Sequence, residues 1–188
     1  WIGKWIMRAV KRRRVYARWT KPKRFDRNLV VIGAGAAGLV SAYIAAAVKA
    51  TVTLVEANKM GGDCLNYGCV PSKALIKSAK LAEQMRRGDV YGLARTDPKF
   101  SFKAVMSRVH DIIAAIEPHD SVERYTALGV DVVHGYATII DPWTVEVKAS
   151  DGEIRRLTTR SIIIAAGGEP IVLPLPGLDE VRYVTSDT

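Results

Sequence analysis

The sequence predicts an α/β fold: a parallel sheet with flanking helices and a small antiparallel β-meander. Three observations predict it. An apolar run, Leu29-Val30-Val31-Ile32, leads into a glycine-rich turn over 33–38 and then an alanine-rich helical stretch over 39–48. A second apolar run at 51–55 follows at once, so the unit reads strand, turn, helix, strand, the opening of a parallel sheet. From Val130 onward the pattern changes to short strand-like runs at 130–133, 137–140 and 144–147, with turn signals at Asp141-Pro142 and Asp151-Gly152.

The remaining elements follow in order. Residues 22–27 read as a linker into the folded body. Ala74 to Arg87 reads as a helix, with Leu75, Ile76, Ala79, Ala82 and Met85 broadly on one side. Residues 88–98 read as loop. A helix is expected over Phe102 to Ile116, where Pro118 forces a break or kink. A second helical stretch runs to about Leu128 and ends at Gly129. Ser161 to Ala166 is an apolar strand closed by Gly167-Gly168, and Pro170, Pro174 and Pro176 make an extended exit.

A chain of 188 residues can bury a real core. Its 48% hydrophobic and 25% charged content is that of an ordinary globular chain, which argues against a disordered or fibrous one. The net charge of +9 is unevenly spread. Residues 1–27 hold eleven Lys or Arg and one Asp, whereas the remainder holds 17 basic and 18 acidic residues. The expected division is therefore a basic, Trp-containing arm over 1–27 and a neutral folded domain over 28–188. No apolar run approaches the roughly 18 residues that a membrane span needs, and no cleavable signal pattern is visible. The start at Trp1 suggests a chain cut from something longer.

The arm supports two readings. Ile2, Trp5, Ile6, Ala9 and Val10 recur at helical spacing, and Lys4, Arg8, Lys11, Arg12, Arg13 and Arg14 fall mostly elsewhere. Together with Trp1 and Trp19, that composition suits contact between residues 1–24 and an anionic membrane surface, which would place the protein at the cytoplasmic face. The plainer reading is a solvated linker on a cytoplasmic protein. No nucleic-acid partner is expected, because nothing downstream resembles a nucleic-acid module.

Gly33-Ala34-Gly35-Ala36-Ala37-Gly38 has the spacing GxGxxG, and its context gives it meaning. A strand precedes it, a helix follows, and Glu56 closes the second strand. Gly33 allows the tight turn, Gly35 lets a pyrophosphate approach the backbone, and Gly38 lets the helix pack on the strand. Glu56, followed by Ala57, is placed to accept hydrogen bonds from an adenosine ribose. A dinucleotide site is the reading, Rossmann-like in fold, and the fingerprint alone does not separate FAD from NAD.

Cys64 and Cys69 are the only cysteines. The loop they would close is short, so a bond between them removes little unfolded-state entropy and staples poorly. Such a pair suits reversible redox chemistry. On an ideal helix residues five apart diverge by roughly 140°. A Cys64–Cys69 bond thus needs a distorted first turn, for which Gly68 supplies backbone freedom. A helix N-terminus also favours a thiolate. No metal-ligand cluster is expected.

The run GGDCLNYGCVPSKALI closely resembles the redox-active segment of the pyridine nucleotide–disulfide oxidoreductases, a family that includes dihydrolipoamide dehydrogenase, mercuric reductase and glutathione reductase. The resemblance covers about residues 27–188 and matches the N-terminal, incomplete part of the family's FAD-binding domain. It implies that the glycine turn (Gly33, Gly35, Ala36, Ala37, Gly38) and Glu56-Ala57 bind FAD. Gly62 and Asp63 would lie beside the cofactor. By the resemblance, Cys64 is the interchange thiol facing the acceptor and Cys69 the charge-transfer thiol facing the flavin. Lys73 would lie near the flavin N5. Its plainer reading is a solvated helix lysine. Ala137 matches a position meeting the adenine end, and Ala166-Gly167-Gly168 matches an Ala-Thr-Gly-Ser run where the chain leaves the domain. Ala and Gly here replace the Thr and Ser, so only backbone contacts carry over.

Ser72 stands where glutathione reductases usually carry Lys, which favours the dihydrolipoamide dehydrogenase and mercuric reductase side. Asp63 and Tyr67 depart from the Thr and Val common there. The resemblance implies an oxidoreductase parent, homodimeric, taking NAD(P)H through a second GxGxxG beyond residue 188. It would pass electrons through FAD, Cys69 and Cys64 to a disulfide, metal-ion or other small-molecule acceptor. The acid–base His-Glu pair of such parents is not expected among His110, His119 and His134, which read as surface or core histidines. By itself the chain is expected to be inactive. The competing reading is a non-catalytic FAD-binding or thiol redox-sensing module.

Overall fold

The computed structural model describes residues 2–186, and in the first helix the side chains of residues 2, 4, 5, 8, 9, 12 and 13 lie outside that description. The arm is helical as α1 (Ile2–Tyr16). The apolar face expected from Ile2, Trp5 and Ala9 falls outside the described side chains, as does Trp1. Tyr16 stacks on Trp143 of the folded body, with ring centroids 5.3 Å apart. Arg18 lies over the Trp19 ring at 4.0 Å. Among the described residues no helix is long and apolar enough to cross a membrane.

The body opens with β1 (Arg27–Ile32), α2 (Ala36–Ala47) and β2 (Val52–Glu56), in the predicted order, with α2 starting three residues earlier than expected, inside the glycine turn. A short helix α3 (Gly62–Asn66) and a long helix α4 (Cys69–Arg86) follow. The long helix therefore starts five residues before the predicted Ala74. Pro71 explains the difference: it sits in the first turn, where the missing N–H has no intrahelical partner to lose. The stretch read as loop contains a 3-10 turn over Gly88–Tyr91. Helix α5 (Phe102–Ile116) has its predicted bounds, and a 3-10 turn over Glu117–Asp120 holds Pro118. Helix α6 (Val122–Ala127) ends before Gly129, whose φ of 89° suits glycine.

Two strands are longer than their apolar runs suggest. Residues 130–133 and 137–140 are not separate strands but one, β3 (Val130–Asp141). The last strand, β5 (Ile154–Ile164), begins seven residues before the predicted Ser161 and stops before Ala165. Its first half, Ile154-Arg155-Arg156-Leu157-Thr158-Thr159-Arg160, is polar on alternate positions and offers no continuous apolar run. Strand β4 (Thr144–Ala149) lies between them.

Both long strands serve two sheets. β1 pairs in parallel with β2 and β5, and β2 pairs in parallel with β3 through Glu56↔His134. Beyond Gly135, β3 turns to pair antiparallel with β4, and β4 pairs antiparallel with the first half of β5. The circuit closes. A Cβ on Gly135 would lie 2.4 Å from the Lys148 carbonyl oxygen, so the bend of β3 onto β4 needs glycine there.

Two cores result. Val31, Leu54 and Val130 face Leu39, Ala42 and Ala46 of α2 and Tyr125 of α6. Val30, Val55 and Val133 face Val145, Val147 and Leu157 of the antiparallel layer. The inner strands are covered on both faces, which is why they read as unbroken apolar runs. At the opposite end of the sheet from the glycine turn, Asp131 takes hydrogen bonds from Arg27 (2.8 Å), Thr53 (3.0 Å) and Arg155 (3.3 Å). The chain entering β1 is tied down by Asp26, which accepts from the Thr158 amide (2.8 Å) and hydroxyl (2.7 Å).

Candidate active site

The C-terminal ends of β1, β2 and β5 converge on the glycine turn. Gly33 has φ 101°, and a Cβ there would lie 2.2 Å from the Ala165 oxygen. A Cβ on Gly38 would lie 1.8 Å from the Gly33 oxygen. Both are glycine because the protein's own backbone occupies the space. Gly35 differs. Its φ of −76° and ψ of −175° suit any residue, and a Cβ there would meet only the Gly62 Cα at 3.8 Å. Protein packing therefore does not explain that glycine.

Gly35 is also the N-cap of α2 and brings no side chain to cap it. The first N–H groups of Ala36, Ala37 and Gly38 have no carbonyl ahead of them in the helix. Ala36 and Ala37 are exposed. Open backbone, orphan donors and the positive end of a helix dipole are what a pyrophosphate requires. The residues present thus fit a dinucleotide.

Glu56 is buried at the end of β2, 8% exposed. Its two carboxylate oxygens accept from the Ala34 amide at 2.5 Å and the Asn58 amide at 2.7 Å. It already holds the glycine turn and the loop after β2 together. Each oxygen keeps a further acceptor site for a ribose hydroxyl. Ala57 is exposed just beyond. His134, which pairs with Glu56 across the sheet, donates from Nε2 to the Asn58 carbonyl at 2.7 Å.

The cysteine segment docks on this turn. Gly61 donates to the Ala34 oxygen at 3.0 Å, and Gly35 and Gly61 form a parallel bridge. Gly62 has φ 55°, and a Cβ there would lie 2.6 Å from the Gly35 Cα. The helix breaks at Tyr67-Gly68, between Cys64 on α3 and Cys69 at the start of α4. The distortion expected from the five-residue spacing is therefore present, and Asp63 shapes it. Its carbonyl accepts from both Tyr67 (2.9 Å) and Gly68 (2.7 Å), and its carboxylate would lie 2.7 Å from a Cβ on Gly68 and have to shift.

The break sets Cys64 and Cys69 where their thiols influence each other. Neither cysteine is in a disulfide; Cys64 is half-buried and Cys69 exposed. The thiol of Cys64 is pushed above its ordinary value, first by its hydrogen bond with Cys69, then by burial and by the charge of Cys69. Lys73, one turn along α4 and exposed, opposes that rise through its positive charge.

The peripheral candidates divide. Ala166 closes on Gly33, its Cα 3.1 Å from a Cβ built there, and Ala165 donates to the Ile32 oxygen at 2.7 Å. Gly167, with φ 73°, and Gly168 are exposed beyond it. Ala137 lies three residues past His134 in the antiparallel half of β3, opposite Val147 and packed on the second core. His110 is exposed on α5, and the His119 ring bonds Arg124 at 3.0 Å. Among the described residues no group of three His, Cys, Asp or Glu side chains could hold a metal ion. Asn66 and His134 were not legible as contributors. An asparagine between the two cysteines was the signal for the first, and the second needs the β2–β3 register.

The family model for pyridine nucleotide-disulphide oxidoreductases matches residues 27–188, from the first residue of β1 through the glycine turn and the dithiol. The chain belongs to this family. Among its curated relatives, a mercuric reductase of Streptomyces lividans is 32% identical over 162 residues, covering 86% of this chain and 34% of the relative. A dihydrolipoyl dehydrogenase of Manduca sexta is 38% identical over 165 residues, covering 86% and 32%. One from Bacillus subtilis (strain 168) is 32% identical over 169 residues, covering 85% and 35%. The chain thus spans about a third of the length of the curated relatives it matches. The glycine turn and the cysteine segment both lie within the matched residues, joined through Gly35 and Gly61.

Proposed function

We propose that this chain is the FAD-binding, dithiol-bearing part of an NAD(P)H-dependent flavin disulfide oxidoreductase, acting on a disulfide or a metal ion. The observation that carries the reading is the docking of the segment bearing Cys64 and Cys69, through Gly61-Gly62, on a glycine turn whose Gly35 no protein atom crowds. The relatives' names, mercuric reductase and dihydrolipoyl dehydrogenase, support the two acceptor classes.

Gly35, Ala36, Ala37 and Gly38 would hold the pyrophosphate, Glu56 the ribose, and Gly62, Asp63 and Lys73 the side nearer the dithiol. When bound, FAD supplies a two-electron carrier between a nicotinamide and the cysteines. The chain's own part is thiol exchange. The Cys64 thiolate attacks an acceptor disulfide, forms a mixed disulfide and releases one thiolate. Cys69 then attacks the Cys64 sulfur, closes the Cys64–Cys69 disulfide and releases the second. The acceptor gains two electrons and the dithiol loses two. Lys73 favours the attacking thiolate by its charge.

The nicotinamide site, the partner subunit of a homodimer and the acid–base pair would come from parts of the parent outside these residues. The chain alone is expected to show no turnover with NAD(P)H. In the full-length parent, two-electron reduction should produce a long-wavelength thiolate-to-flavin absorption band. Cys69→Ser should abolish it and Cys64→Ser should keep it; a band that survives Cys69→Ser overturns the assignment.

A membrane-surface contact is a second proposal, resting on α1. This basic helix meets Trp143 through Tyr16, near its C-terminal end. Vesicles rich in anionic lipid should bind the chain at low salt and release it at high salt. Equal recovery with neutral vesicles would remove this part.

A further inference from the structure

We infer that Asn66 is a positioning residue that sets the redox equilibrium of the Cys64–Cys69 pair. The inference deepens the reading of these cysteines as a working dithiol and rests on it. Asn66 is half-buried on α3, between the two cysteines. Its carboxamide Nδ2 donates to the Met60 oxygen at 3.1 Å and to the Gly62 oxygen at 2.8 Å. Those carbonyls flank Gly61, whose amide donates to Ala34 and whose backbone bridges Gly35. One side chain thus ties the helix bearing Cys64 to the point where the segment is anchored on the glycine turn.

That tie matters because α3 is a helix of five residues. So short a helix has little cohesion of its own. Its far end is the Tyr67-Gly68 break that lets Cys64 reach Cys69. The near end is clamped by Gly61-Gly62, and Asn66 carries that clamp across the helix to the cysteine side. With the tie in place, Cys64 stays beside Cys69 and little motional freedom remains to be lost when the sulfurs join. Without it, α3 can pivot about the break.

The residue type fits the task. Two carbonyl oxygens on one side need two protons from one short side chain. Asn supplies both from a single NH2 group, Ser or Thr supplies one, and an ionised Asp supplies none and sets its charge against both carbonyls.

The test is the closure equilibrium in the full chain. Reduced Cys64 and Cys69 plus glutathione disulfide give the Cys64–Cys69 disulfide plus two glutathione thiols. The ratio is read by acid quench, alkylation and mass measurement across a series of glutathione buffers. Asn66→Ala should lower the closure constant about tenfold, a potential about 30 mV less negative. Asn66→Asp should lower it at least as far at neutral pH. Asn66→Ser, which keeps one donor, should recover part of the loss at the same neutral pH. Loss of side-chain volume alone would not rank Ser above Ala and Asp in that way.

If Asn66→Ala unfolds, Asn66→Ser and Asn66→Asp at neutral pH decide. A closure constant within twofold of wild type in folded Asn66→Ala or Asn66→Asp overturns the inference. The measurement uses no flavin, so loss of FAD binding would count against the proposed function and leave this result standing.

Discussion

Gly35→Ala and Gly38→Ala should separate glycine kept for a ligand from glycine kept for the fold. At Gly38 the added methyl carbon would sit 1.8 Å from the Gly33 carbonyl oxygen, with the Val31 side chain at 3.3 Å. Its neighbour is backbone of the same turn, so it cannot swing aside. Overpacking of this kind costs about 3 kcal/mol, which for a chain of this size lowers the melting temperature by roughly 6–12 °C. At Gly35 the methyl carbon meets nothing closer than 3.8 Å, and φ is already negative. Reduced unfolded-state entropy favours Ala there by about 0.5 kcal/mol, and the weaker N-cap costs about as much. The ligand-free melting temperature should therefore move by less than about 3 °C.

The ligand response should reverse that order. FAD at 100 times its dissociation constant adds about 2.7 kcal/mol. A methyl group between the pyrophosphate and the Ala36–Gly38 amides removes at least one charge-assisted hydrogen bond, so binding should weaken about tenfold or more. The stabilisation by FAD would then fall to about 1.4 kcal/mol or less. Circular dichroism melts with and without FAD read both effects. Wild-type FAD stabilisation in Gly35→Ala, or a wild-type melt in Gly38→Ala, would refute the division.

Other outcomes follow from the charged and thiol groups. Cys69→Ala removes the largest cause holding the Cys64 thiol high, so the pH midpoint of Cys64 alkylation should fall; an unchanged midpoint would show the sulfurs do not interact. Lys73→Met removes the one favourable charge and should raise that midpoint. Burial works to raise the Asp131 carboxyl, but hydrogen bonds from Arg27 and Thr53 and the Arg155 charge outweigh it and hold it below the usual range. A depressed carboxyl contributes stability that is present above its unfolded-state pKa and lost as pH falls through its folded value. Asp131→Asn should cost about 1 kcal/mol at neutral pH, a figure reduced for the carboxylate's exposure. It should also flatten the acid limb of urea stability, and an unaltered limb would count against the ion pairs. Glu56→Gln puts an NH2 group against the Ala34 or Asn58 amide and should cost about 1–3 kcal/mol of ligand-free stability in urea melts.

The elements legible in the sequence were those whose periodicity is local. β1, α2, β2 and α5 each bury a face or a whole strand, and the apolar spacing states it. The errors fell where one element serves two environments. β3 and β5 each run from the parallel sheet into the antiparallel layer, so their exposure pattern changes midway, and each read as less than it is. The start of α4 was hidden by Pro71, which breaks a helix interior but is accepted in a first turn.

The sequence by itself determined the family, and it placed a GxGxxG turn and a cysteine pair in the stretch between β1 and α4. Those follow from residue types whose chemistry is carried in their spacing: glycines, one acidic residue and two cysteines. Only the tertiary structure decided which glycines the protein needs for itself and which leaves space for a ligand, because that depends on atoms from Ala165 and Gly62, distant in the chain. The same holds for Glu56 clamping two loops and for Asn66 tying α3 to the turn. Hydrogen bonds to backbone carbonyls and amides leave no mark on spacing, so they become visible only when the chain has folded.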